Sequence, residues 1–205
     1  MRKTTILAIA YLPYYLNDFA NIFVTGYPAW LAVDYGQRFL ILGFLFFMFA
    51  RGELTKADLG LVSVPIRRFV LWTVGTVAVS MAYLYLSEFV LAPYFPKGAL
   101  GGVPIDMDSP LFLLDVTFGL VLVGFSEEIV CRGLTLSTLK GKIPTPVVYL
   151  VSALLFSLMH WSLSAHTLTD AFVYGLVFVP ATLATGSIWP AAVTHFLVNF
   201  VLYSL

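Results

Sequence analysis

GFSEEIVCRG, residues 124–133, sets two adjacent carboxylates and an arginine directly after the apolar run LFLLDVTFGLVLV, residues 111–123. A second long apolar segment follows a short polar stretch beginning near Lys140. Ionisable groups inside a membrane span are costly and normally face a bundle interior or a wet cavity. The stretch therefore reads as part of a span that contributes chemistry rather than simple anchoring.

The rest of the chain fits that reading. Hydrophobic residues make up 60% of 205 and charged residues 11%, and the mean hydropathy is +0.93. A soluble domain holds about 45–50% apolar and about 25% charged residues, and one small core could not hide this much apolar surface. The expected fold class is all-α, a polytopic transmembrane helical bundle, built as one membrane-embedded domain over residues 1–205. Zero net charge and the lack of a basic arm exclude nucleic acid as a partner; the bilayer itself is one. A single cysteine excludes an internal disulfide and a cysteine-rich zinc site. The basic-then-apolar start, MRKTTILAIAYLPYYL, resembles a signal peptide, but NDFANIF lacks small cleavage-site residues, so the segment is expected to stay as a first span.

A span takes about 20 mainly apolar residues. About seven segments qualify: residues 5–24, 30–50, 68–91, 111–131, 147–164, 169–185 and 188–205. Asp34, Gln37 and Arg38 interrupt the second; the fourth is expected to continue as helix to about Lys140, where GKIP ends it. With the amino terminus in the cytosol, that side holds Arg2, Lys3, Arg51, Lys56, Arg67, Arg68, Lys140 and Lys142. The opposite side would hold Lys97 and Arg38. This asymmetry sets the expected orientation.

Three short patterns fall within the expected spans: E-E-x-x-x-R (Glu127, Glu128, Arg132), F-x-x-x-H (Phe156, His160) and H-x-x-x-N (His195, Asn199). Glu128 and Arg132 stand at i,i+4 on one helix face and can form an ion pair. Glu127 points about 100° away, which would leave it free to face a cavity. His195 and Asn199 also share a face, and Phe156 can pack beside His160. At about 1.5 Å per residue, Glu127 lies about 20 Å from Lys140, His160 about 20 Å from residue 147, and His195 about 12 Å from Ser187. The three spans thus bring their polar groups to one depth, expected to be reached from the cytosolic end. A carboxylate can take a proton from water, one imidazole can help to hold that water, and the other, with a carboxamide, can donate to an oxyanion.

The three motifs, in this order and on these spans, resemble the family of intramembrane proteases that contains the CAAX-prenyl endopeptidases and the bacterial bacteriocin-processing and immunity proteins, also called the abortive-infection family. The resemblance covers about residues 55–205. It implies a glutamate-dependent membrane endopeptidase without a cofactor, acting on a peptide or protein with a membrane-associated segment. By similarity, Glu127 and His195 would activate water, His160 and Asn199 would form the oxyanion hole, and Glu128 and Arg132 would support them. Phe156 would shape the cleft or the core. The short chain points to a prokaryotic member in the inner or plasma membrane.

Other functions compete with this one. A zinc-dependent version of the protease would use Glu127, His160 and His195 as ligands, with an open fourth position. A non-enzymatic immunity protein would bind a peptide without cutting it, and a transporter or channel would use the same buried charges. G-x-S-x-G is absent, as are paired aspartyl motifs and the internal repeats of many transporters. Among the remaining polar residues, His166 is expected at the membrane interface and Cys131 as a small packing residue. Asp115 is expected to pair with the Asn17, Asp18 and Asn21 group of the first span.

Overall fold

The computed structural model describes residues 1–20, 22–95, 105–160 and 164–204, with no side-chain description for residues 18–20. Its regular structure consists of seven helices, and there is no strand among the described residues. These are α1 (Lys3–Ala20), α2 (Tyr27–Ala50), α3 (Ile66–Leu91), α4 (110–139), α5 (Thr145–Leu158), α6 (Ala165–Thr185) and α7 (Trp189–Leu202). Each matches one expected span. Tyr27–Ala50, Ile66–Leu91 and Ala165–Thr185 are long and apolar enough to cross a membrane. Their outer faces carry residues such as Leu40, Phe46 and Leu71, each about 70% exposed. Such a surface is at rest only against lipid, and the chain is an integral membrane protein.

Proline and glycine punctuate the helices. A proline occupies the first turn of α2, α4, α5 and α7, where a missing N–H leaves no intrahelical bond unmade. Ser109 caps α4 and Ser164 caps α6 by accepting backbone N–H bonds at 3.3 Å. Gly186, at φ 72°, closes α6 in the left-handed conformation.

α4 departs from the regular helix assumed above. It contains π-helical turns at Asp115–Gly119 and Ile129–Leu134, and such turns displace carbonyls from the α-helical ladder. Hydroxyls take up two of them: Thr135 Oγ1 donates to Val130 O and Ser152 Oγ to Cys131 O, each at 2.8 Å. The second turn begins just after Glu128, at the motif itself.

α4 packs against α2 on one side and α7 on the other, while α3, α5 and α6 close the bundle. One end of the bundle gathers the start of α1, residues 51–65, the α4–α5 turn and the α6–α7 turn. Here Thr55 and Asp58 form a reciprocal turn: Asp58 Oδ2 accepts from Thr55 N (2.9 Å) and Thr55 Oγ1 (2.8 Å), and Thr55 Oγ1 accepts from Asp58 N (3.2 Å). Burial opposes ionisation of the Asp58 carboxyl, but the Lys3 ammonium and the Thr55 donors outweigh it and hold the group below the usual range. The following loop presses on α4, and a Cβ at Gly133 would overlap the Leu59 carbonyl. Ile188 N donates to Gly60 O at 3.0 Å, tying α7 to the same loop.

Candidate active site

Glu128 and Arg132 form the floor of the site. Both are fully buried, and Arg132 Nη1 lies 2.9 Å from Glu128 Oε1. The Arg132 guanidinium sits 4.2 Å over the Phe156 ring and 5.2 Å over the Phe178 ring. A cation so placed gains from both the carboxylate and the aromatic faces. The expected i,i+4 pair is therefore present, although a π turn runs through it.

His195, from α7, stands between the two glutamates. Its Nδ1 lies 3.0 Å from Glu128 Oε1, and since a carboxylate oxygen accepts, Nδ1 donates. Its Nε2 faces Glu127 Oε2 at 3.8 Å. Among the described residues, Glu127 Oε2 is buried and has no hydrogen-bond partner. The side chain of Glu128 thus fixes the ring of His195 so that its second nitrogen addresses Glu127.

Glu127 is not unpaired, as the helix geometry suggested. Arg38 Nη1 donates to its Oε1 at 2.8 Å and to Ser126 Oγ at 3.2 Å. The other edge of the guanidinium forks onto Asp34, with Nε to Oδ2 and Nη2 to Oδ1 both at 2.9 Å. Asn17 Nδ2 donates to Asp34 Oδ1 at 3.3 Å. Arg38 therefore lies inside the bundle and does not count towards the far side of the membrane. The sequence carried a signal for it: Asp34 and Arg38 stand at i,i+4 within an apolar run, the same pattern that marks Glu128 and Arg132.

His160 and Asn199 meet His195 at a cavity of about 200 Å³, whose walls include Phe156, Tyr174 and Phe178. α5 ends at Leu158, so His160 lies in the turn beyond it rather than within a span. Its Nδ1 donates to Phe156 O at 2.8 Å and so caps the helix end. The Phe156 ring lies 4.7 Å from that of His160 and 5.8 Å from that of His195. Glu88, Thr167 and Leu202 also line the cavity. All three lie towards the bundle end where α3, α5 and α7 finish, away from Lys140 and the loop of residues 51–65. Access from the Lys140 end is thus corrected: the cavity lies towards the opposite end.

His166, in the first turn of α6, is buried within the protein; its Nε2 lies 2.8 Å from Ser87 Oγ, which donates to Asp170 at 2.7 Å, and its Nδ1 meets Phe95 O. Asp115 accepts from the hydroxyls of Tyr27 (3.0 Å) and Tyr35 (2.9 Å) on α2, while Asn17 donates to Asp34. The side chains of Asp18, Asn21 and Lys97 lie outside the described residues. Cys131 is fully buried, with its Sγ 3.6 Å from Met159 Sδ.

A zinc ion held by Glu127, His160 and His195 would have to use Glu127 Oε2 and the two Nε2 atoms, because Glu127 Oε1 is engaged by a guanidinium and the Nδ1 atoms of His160 and His195 are committed to Phe156 O and Glu128. Among the described residues, no three His, Cys, Asp or Glu side chains stand together as metal ligands must.

No curated protein and no solved structure matches the chain. Residues 109–201 match the family described as type II CAAX prenyl endopeptidase Rce1-like. That segment contains Glu127, Glu128, Arg132, Phe156, His160, His195 and Asn199. Over these 93 of its 205 residues the chain is similar to the Rce1-like family of CAAX-type intramembrane proteases.

Proposed function

We propose that the protein hydrolyses a peptide bond of a membrane-associated protein or peptide by direct attack of water, without a metal. The observation that carries this reading is the approach of Glu127 Oε2 and His195 Nε2 to 3.8 Å, with His195 held from behind by Glu128. One water can lie about 2.8 Å from both atoms. With its proton on Nδ1, His195 offers Nε2 as an acceptor, so the water would direct its two hydrogens to Glu127 and His195. Its oxygen would then be aimed at a carbonyl carbon in the cavity. Attack forms the C–O bond and transfers a proton to the Glu127–His195 pair. Collapse breaks the C–N bond as that proton passes to the leaving amine.

Asn199 is the donor best suited to the developing oxyanion, because its carboxamide needs no added proton. His160 assists there only when Nε2 is also protonated, since its Nδ1 hydrogen is committed to Phe156 O. Glu128 and Arg132 act from behind, fixing His195 and the aromatic wall.

The basic residues of the Lys140 end support a cytosolic placement for that end and for the amino terminus. The cavity would then face the outer half of the membrane. Such a site favours a scissile bond near the extracytoplasmic leaflet of a prokaryotic membrane over a cytosolic prenylated tail. The test compares new peptide termini in membranes of cells producing the wild-type protein or Glu127→Gln. Termini made only by the wild type are expected, and they should still form in the presence of a metal chelator. Identical termini in both membranes would refute hydrolysis by this site.

The immunity-protein reading predicts that Glu127→Gln retains protection against a peptide toxin. The buried carboxylate oxygen, aimed at an imidazole and without a hydrogen-bond partner among the described residues, favours chemistry over that reading.

A further inference from the structure

The residues that fix Glu127 lie far from the family-matched segment. Arg38 is 6% exposed, Asp34 3% and Glu127 3%. One guanidinium spans the two carboxylates: a two-bond fork onto Asp34 on one edge, and Nη1 to Glu127 Oε1 at 2.8 Å on the other. The Tyr14 ring lies 5.7 Å from the Arg38 guanidinium carbon, and Asn17 holds Asp34. Helices α1 and α2 therefore deliver a rigid cation to one oxygen of a carboxylate on α4.

We propose that Arg38 is a positioning residue of the peptidase reaction: by binding Glu127 Oε1, it keeps Oε2 turned towards His195. The proposal rests on the reading of Glu127 as the base. Rotation of the carboxylate about its terminal bond would otherwise be opposed by little, because terminal carboxylate torsions are broad. Asp34 supplies the second anchor that stops Arg38 from following Glu127. A lysine cannot replace it, since one ammonium cannot present three directed N–H bonds to two acids on opposite edges. On this account residues before 55 are part of the catalytic apparatus, and the reacting unit extends beyond residues 109–201.

The experiment uses the full chain in lipid nanodiscs and a synthetic peptide spanning a site that the wild type cuts at least about 1,000-fold faster than Glu127→Gln, whose residual rate is still measurable. Arg38→Lys and Arg38→Gln are expected to lower kcat about 100-fold or more, the scale of an ångström's misplacement, with KM within about threefold of the parent. The double variant Arg38→Gln/Glu127→Gln is expected to be no slower than Glu127→Gln alone, because Arg38 acts through that carboxylate. Wild-type kcat in both single variants would overturn the proposal. So would a double variant slowed further by the same factor that Arg38→Gln imposes on the parent. If Arg38→Gln does not fold, Asp34→Asn decides: it frees one side of the fork and should lower kcat at unchanged KM, whereas unchanged kcat refutes the positioning role. If no Glu127-dependent termini are found in membranes, the peptidase reading itself fails, and this outcome is distinct from the others.

Discussion

Replacing Arg132 by methionine tests the buried charge arrangement on which His195 depends. Arg132 and Glu128 are both fully buried, 2.9 Å apart. Removing the cation leaves Glu128 with His195 as its remaining neighbour in place, and breaking a buried pair from one side costs about 3–5 kcal/mol. The lost guanidinium contact with Phe156 adds about 2 kcal/mol, which methionine packing against the same ring largely restores. A net loss of about 4 kcal/mol corresponds to roughly 8–16 °C in melting temperature for a chain of this size. Glu128→Gln strands Arg132 instead and should lose a similar amount. The double variant removes both charges and should fall only about 1–2 kcal/mol below the parent, above either single variant. Cys131 provides the assay. It is the sole cysteine and is fully buried beside this pair, so a thiol-reactive fluorophore reports unfolding at the site itself. A double variant melting below both single variants would contradict the reasoning, because it would show that the losses simply add.

Gly133→Ala should displace residues 54–60, since a Cβ there meets the Leu59 carbonyl; the expected loss is about 1–3 kcal/mol, read as a lower melting temperature and faster proteolysis of the loop. The Asp58 carboxyl is held below its ordinary range, chiefly by Lys3 and Thr55 working against burial. Its contribution is therefore complete above the unfolded value of about 3.9 and disappears as pH falls through the folded one. The melting difference between wild type and Asp58→Asn should accordingly be full at neutral pH and vanish in acid; a constant difference would refute the assignment. Tyr27→Phe combined with Tyr35→Phe leaves Asp115 without both hydroxyl donors and should cost about 2–4 kcal/mol by thermal unfolding. Asn199→Ala should lower kcat about 100- to 1,000-fold with little change in fold, and normal kcat would remove Asn199 from the oxyanion role.

The helices were legible because their ends are written in local chemistry. Pro28, Pro110, Pro146 and Pro190 open four of them, and Gly186 closes α6. The Glu128–Arg132 pair was legible for the same reason, since i,i+4 spacing brings the two together within one helix. Contacts between helices were not. Arg38 and Glu127 are separated by 89 positions, and periodicity says nothing about which helix faces which. The tyrosine partners of Asp115 and the burial of His166 were hidden for that reason. Cavity direction failed differently: distances along a helix fix depth, but not which end of the bundle is open. The π turn in α4 left no mark in the hydrophobic pattern, and Ser152, whose hydroxyl takes up a displaced carbonyl there, belongs to another helix.

The most direct test of the account is the cleavage rate of Glu127→Gln relative to the wild type on one identified peptide, with the Cys131 thiol confirmed as protected in both proteins. Glutamine keeps the size of the side chain and can still accept from Arg38, but it cannot take a proton from water. A rate at least about 1,000-fold lower, with the melting temperature retained, is the predicted result. Cleavage at the parental rate by the folded variant would contradict it.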